Sequence, residues 1–118
     1  MDKIELLKEH RGGSNSTSYT GRSEGKLVRE KLDLNTIDLS VQKYFVTIPE
    51  DTTSFNPSFY LGLFYDSIKK LSWEGFKEKY IFDLSNLPSS LQPIILRNLE
   101  ECERKAKNEL CGLTGLDL

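Results

Sequence analysis

The chain has 118 residues, 29% of them charged and 37% apolar, with a net charge of −2 at neutral pH. That length suits one hydrophobic core spanning residues 1–118, because single domains cluster at about 100–150 residues, and the balance is globular rather than disordered. Both signs of charge are mixed along the chain, which leaves no basic footprint for nucleic acid or an anionic membrane. No apolar run approaches the ~20 residues that span a bilayer, and Met1-Asp2-Lys3-Ile4-Glu5 is too acidic for a signal peptide, so a cytoplasmic protein is expected.

The first pattern, Lys3-Ile4-Glu5-Leu6-Leu7-Lys8, sets Ile4 and Leu6 on one face with charges between them and predicts a short strand. Residues 11–18 are small and polar after Arg11 and read as a flexible Gly/Ser loop. From Ser23, an N-cap residue followed by Glu24, the positions Leu27, Val28, Lys31 and Leu32 recur at helical spacing over about three turns. Residues 41–48 carry Tyr44, Phe45, Val46 and Ile48 up to Pro49 and predict a largely buried, central strand.

Asn56 and Pro57 fit an N-cap and first helical position, since Asn accepts orphan backbone N–H groups and Pro has none to lose. In the helix that follows, Tyr60, Leu63, Phe64, Ser67, Ile68 and Leu71 form one continuous stripe, with Asp66, Lys69 and Lys70 off it. Trp73-Glu74-Gly75-Phe76 predicts a turn or short helix, and residues 79–84 a further strand. The last helix carries Leu91, Ile95, Leu99, Cys102, Ala106 and Leu110 on one face and is expected to end at Gly112, leaving a tail over 112–118. Alternating strands and helices argue for an α/β fold with a small, mainly parallel or mixed sheet of three or four strands and about three main helices.

Two segments, Tyr19-Thr20-Gly21-Arg22-Ser23-Glu24-Gly25 and Ser54-Phe55-Asn56-Pro57-Ser58-Phe59, resemble the STAS-like domains of the DUF4325 type. These are small bacterial α/β modules related in fold to sulfate-transporter and anti-sigma-factor-antagonist domains. Arg22 and Gly25 match the element that opens the family's first helix, and Ser58 and Phe59 match the Ser-Phe pair that opens the next. The resemblance covers roughly residues 19–106. Members often carry an Asp-Phe pair where this chain has Ile48-Pro49-Glu50-Asp51, and acidic residues where it has Tyr60-Leu61-Gly62-Leu63. The acidic surface beside the turn is thereby reduced.

The resemblance implies a non-enzymatic regulatory or adaptor module that binds a protein partner, such as a GHKL-type ATPase or kinase. The face implied is the turn at 54–59 with the helix over 57–71, and the contact residues are Arg22, Ser54, Asn56, Ser58 and Phe59. Ser58 stands where related antagonists carry a phosphoacceptor, and a phosphate there would add about −1.5 to −2 charges; the alternative is that Ser54, Asn56 and Ser58 simply cap the helix. Arg22 either holds an anion with the Gly-rich loop or pairs with a carboxylate.

Other functional readings have less to stand on. Gly25-Lys26 is no P-loop, since Leu27 replaces the magnesium-binding hydroxyl residue. His10, the sole histidine, is expected at the solvated surface, and Cys102 and Cys111 have neither CxxC spacing nor a nearby His, so no metal or cofactor is expected. Cys102 falls on an apolar stripe, where a small buried hydrophobe is the ordinary role. A small-molecule or nucleotide sensor, a phage-defence or anti-defence accessory protein, and a homo-oligomer all remain compatible with the chain.

Overall fold

From the amino end the elements are β1 (Asp2–Glu5), a 3-10 turn (Lys8–His10), β2 (Ser18–Tyr19), α1 (Arg22–Leu32), α2 (Leu34–Leu39), β3 (Tyr44–Thr47), β4 (Ser54–Phe55), α3 (Pro57–Lys79), β5 (Tyr80–Phe82) and α4 (Gln92–Thr114). The computed structural model describes residues 2–11 and 16–114, with residues 113 and 114 as backbone only. Residues 12–15 of the expected loop and 115–118 of the expected tail lie outside the described residues.

Two parallel sheets organise the chain: one in the order β1-β3-β5, with β3 central as the sequence suggests, and a two-stranded one of β2 and β4. Residues two apart share a face of a strand. Ile4, Val46 and Tyr80 therefore bury one face of the larger sheet, while Lys3, Phe45 and Ile81, aligned across the three strands, point the other way. Helices α1, α2 and α4 each pack against α3, so the helices form one layer.

Several boundaries differ from expectation. The first helix begins at Arg22 rather than after Ser23, because Gly21 at φ 91° makes the turn into it. Its buried face is Gly25, Val28 and Arg29, and Leu27, expected inside, is 50% exposed. Helix α2 and the strands β2 and β4 were not anticipated: the strands have two residues each, too few for a period to register. The strand expected from Val41 starts at Tyr44, and Val41 is fully exposed.

Helix α3 does not stop at Leu71. Ser72 breaks it with φ 66° and ψ 167°, and its hydroxyl accepts the Gly75 N–H at 3.3 Å, capping a second segment that includes Trp73 and Phe76. Helix α4 runs through Gly112 to Thr114 instead of ending there. Its predicted stripe holds, with Ile95, Leu99, Cys102 and Ala106 all buried.

The core is strongly aromatic. Phe64 sits 5.2 Å from Phe76 and 5.3 Å from Tyr80, centroid to centroid, and Phe55 lies 5.4 Å from Phe59 and 5.6 Å from Phe82, spacings at which tilted and edge-on rings attract. On α3 the predicted stripe is buried from Tyr60 to Ile68, with Leu71 half-buried, but Phe59, Gly62 and Tyr65 around the rest of the helix are buried too. A helix hydrophobic on nearly all sides is a central one. The surface expected along 57–71 is consequently covered by α1 and α4, with Asp66, Lys69 and Lys70 its exposed residues.

Helices α1 and α3 approach each other backbone to backbone. A Cβ at Gly25 would fall 2.8 Å from the Leu63 nitrogen and nearer still to the Phe59 carbonyl oxygen. The contact is reciprocal, since a Cβ at Gly62 would fall 3.0 Å from the Lys26 nitrogen and nearer still to the Arg22 carbonyl oxygen. Both obstacles are backbone, which cannot rotate away. Gly25→Ala and Gly62→Ala should each cost about 3 kcal/mol, high in the range for overpacking. Gly75→Ala, where a Cβ meets only side chains at 3.4 Å or more, should instead gain up to about 1 kcal/mol from helix propensity. Urea denaturation checks the contrast, and equal midpoints for the three variants would refute the close crossing.

Candidate functional site

The turn at 54–59 is where the helices that follow the two strands of the smaller sheet begin side by side. Parallel pairing sets Ser18 opposite Ser54 and Tyr19 opposite Phe55, and the Asn56 N–H donates to the Tyr19 carbonyl at 2.9 Å. Both strands then lead into helices, α1 after Gly21 and α3 after Asn56. The turn thus holds two helix starts, and a positive partial charge belongs to each.

Asn56 is the N-cap that the sequence predicts, its side-chain oxygen accepting the Ser58 N–H at 2.9 Å with Pro57 in the first helical position. Ser58 does more than cap its own helix. Its hydroxyl donates to Asn56 Oδ1 at 2.6 Å and accepts the Gly21 N–H at 3.2 Å, tying the start of α1 to the start of α3. Ser54 donates to the Ser18 hydroxyl at 2.6 Å, and Thr17 and Thr53 make a further 2.6 Å hydroxyl pair.

Arg22 and Phe59 stand apart from that hydroxyl cluster. The Arg22 guanidinium makes two bonds to Glu109 on α4, at 3.0 and 2.8 Å, and lies 5.6 Å from the Tyr65 ring centroid. Of the two roles open to Arg22, the structure shows the carboxylate pair, which holds the Glu109 carboxyl below its ordinary range. Phe59 is fully buried, 5.1 Å from the Tyr19 ring, and presents nothing to a partner. Ser54, Asn56 and Ser58 are thus brought together, while Arg22 turns toward α4 and Phe59 joins the core.

Beside the turn lies an open groove of about 460 Å³, lined by residues 54–57 and by Arg97, Asn98 and Glu101 of α4. Helix α4 closes the outer edge of β4 here: Asn98 Oδ1 accepts the Phe55 N–H at 2.8 Å, and the Cys102 thiol contacts the Phe55 carbonyl at 3.6 Å. Burial pushes that thiol up to about 12, so it remains protonated at neutral pH.

The buried charges were not read from the sequence. Arg29 donates to Leu63 O at 2.9 Å and to Ser67 Oγ at 2.7 Å, and on its other side to Asn35 Oδ1 at 2.9 Å and Asp38 Oδ2 at 2.7 Å. The Tyr80 hydroxyl donates a short bond to Asp38 Oδ1, and burial together with that carboxylate raises its pKa strongly. The available cue was spacing, because Gly25, Arg29 and Leu32 fall at i, i+4 and i+7. Arg11, also buried, joins Asp51 at 2.8 Å and Thr52 Oγ1 at 2.7 Å and lies 5.2 Å from the Tyr19 ring. These contacts pin together the loops that follow β1 and β3.

His10 corrects another expectation, for it is buried rather than solvated, and its Nδ1 accepts the Leu7 N–H at 3.0 Å. Among the described residues no group of three or more His, Cys, Asp or Glu is placed to hold a metal ion, and no helix is long and apolar enough to cross a membrane. No family model, no curated protein and no solved structure matches this chain.

Burial lowers the His10 pKa below 6.5, the neutral ring being the form that can accept from Leu7. The unfolded chain then binds more protons below pH 6.5 than the folded one, so stability falls as pH drops through that value. The carboxylates held low by Arg11 and Arg22 act in the same direction but nearer pH 4. Asn at position 10 keeps an acceptor and does not titrate. His10→Asn should therefore flatten the urea midpoint between pH 7 and about pH 5 while leaving the acid limb intact; an unchanged slope would show that His10 does not titrate with folding.

Proposed function

We propose that this chain is a STAS-like, non-enzymatic regulatory module that binds a protein partner at the shared start of α1 and α3, with Ser58 as the residue that switches the binding. The observation that carries the proposal is the position of the Ser58 hydroxyl, half-buried and bonded to both Gly21 and Asn56. A phosphate on that oxygen would remove its donor bond to Asn56 and place about −1.5 to −2 charges at the ends of two helices. Helix N-termini accommodate such charge, whereas a packed interface does not. By resemblance the partner class is a GHKL-type ATPase or kinase in the cytoplasm.

Binding is favoured over catalysis because the Cys102 thiol and the His10 imidazole, two groups suited to covalent or acid–base work, already have structural partners in Phe55 and Leu7. The docking surface is narrower than the sequence suggests. It comprises Thr53, Asn56, Pro57 and Ser58, together with the rim of the groove at Arg97 and Glu101. The same groove favours a second reading, a site for a small molecule. A ligand at 100 times its dissociation constant would add ~2.7 kcal/mol of stability, so a thermal-shift panel separates the two.

The direct test is quantitative affinity purification from the native host with wild-type, Ser58→Ala and Ser58→Glu baits. The expected outcome is one stoichiometric protein partner, kept by Ser58→Ala and weakened at least about tenfold by Ser58→Glu through the charge placed in the interface. Recovery of no partner, or equal capture by all three baits, contradicts the proposal.

A further inference from the structure

The larger sheet is parallel, and parallel sheets are ordinarily covered on both faces because their crossover helices lie there. Here both crossovers, β1 to β3 and β3 to β5, step across the sheet in the same direction. Right-handed connections then place their helices on one side, in agreement with the packing of α1, α2 and α4 on α3. No helix of the described residues lies on the opposite face. Lys3, Glu5 and Ile81 are exposed there, and Phe45, Thr47 and Asp83 are only half-buried.

This face has a defined layout. Lys3, Phe45 and Ile81 form one row across the three strands. Two residues further along, Glu5 and Thr47 form the next row, which Asp83 continues through its N–H bond to the Val46 carbonyl. An open cavity of about 380 Å³ adjoins these rows at the carboxyl ends of the strands, lined in part by Lys3, Glu5, Thr47 and Asp83 with Leu7 and Pro49. The apolar centre is Phe45 and Ile81, and among the described residues of these rows the carboxylates of Glu5 and Asp83 and the ammonium of Lys3 surround it. Asp83 is held ionised by Ser85, whose N–H donates to it at 3.0 Å.

We propose that this face, over which no described helix lies, is a second docking surface, distinct from the turn at Ser58, and that its occupant is an amphipathic helix of a partner protein. That helix lays an apolar stripe on Phe45 and Ile81 and sets Lys or Arg side chains against Glu5 and Asp83. It would supply the helical layer that a parallel sheet otherwise has on its second face. A second copy of the chain fits less well. In an aligned face-to-face stack, a two-fold axis along the strands opposes Glu5 to Asp83, and an axis across them pairs Lys3 with Glu5 but opposes Ile81 to Asp83. The first repels like charges, and the second sets a carboxylate on an apolar side chain.

The test is selection from a displayed library of helical peptides with randomised faces, with the full chain as bait. Enriched peptides should carry an apolar stripe flanked by Lys or Arg, and their contact should map by NMR to amides of β1, β3 and β5. Affinity should fall at least about tenfold on Ile81→Glu, a change at an exposed position that leaves the fold intact, as a thermal melt would verify. The double reversal Glu5→Lys and Asp83→Lys should turn the preference toward acidic flanks. Peptides that bind wild type and Ile81→Glu equally, a preference for acidic flanks in wild type, or a concentration-dependent dimer that Ile81→Glu abolishes would each overturn the proposal.

Discussion

The architecture depends on the meeting of two backbones at Gly25 and Gly62. Each lacks the Cβ that would collide with the opposing helix, so α1 and α3 approach until main chain touches main chain. Everything along the seam follows that separation. Before it, Ser18 and Tyr19 pair with Ser54 and Phe55, and the Ser58 hydroxyl reaches the Gly21 N–H. Beyond it, Arg29 reaches across to Leu63 and Ser67. Parallel strands feeding parallel helices through one tight crossing place two helix starts within a single hydrogen bond of each other, and the candidate site is a consequence of that packing.

The polar groups of the seam are held by geometry more than by net attraction. A buried ion pair such as Arg29 with Asp38 gives back in desolvation much of what it gains, yet losing one partner strands the other at a cost of about 3–5 kcal/mol. With Asn35, Ser67 and Tyr80 as further partners, the pair admits few alternative arrangements of α1, α2, α3 and β5. The surface pairs Lys77 with Glu103 and Arg104 with Glu101 contribute much less, because water screens them.

Much of the fold was legible where period and capping agree. The alternation of strands and helices, the central place of β3, the Asn56-Pro57 start and the stripes of α3 and α4 all follow from spacing that a long element repeats several times. What was hidden is what spacing does not encode. Strands β2 and β4 are too short to show alternation, and their pairing depends on partners 36 residues apart. Charge is ordinarily solvated, so the burial of Arg11, Arg29 and Asp38 follows only from the completed network that makes it tolerable. His10 was placed outside for want of the Leu7 N–H that its ring satisfies. Of the candidate site, the caps were readable, whereas the tie from Ser58 to Gly21 required a tertiary contact.

The most direct measurement of the central claim is a solution NMR experiment on the backbone of the α1–α3 crossing. With no side chain between them, the α-protons of Gly25 and Gly62 should give a strong cross-helix NOE to protons on the opposing helix, and the Gly21 amide should exchange slowly because it donates to Ser58. A Gly25 α-proton without cross-helix NOEs, together with a freely exchanging Gly21 amide, would mean that the helices do not meet and that the shared helix start does not exist.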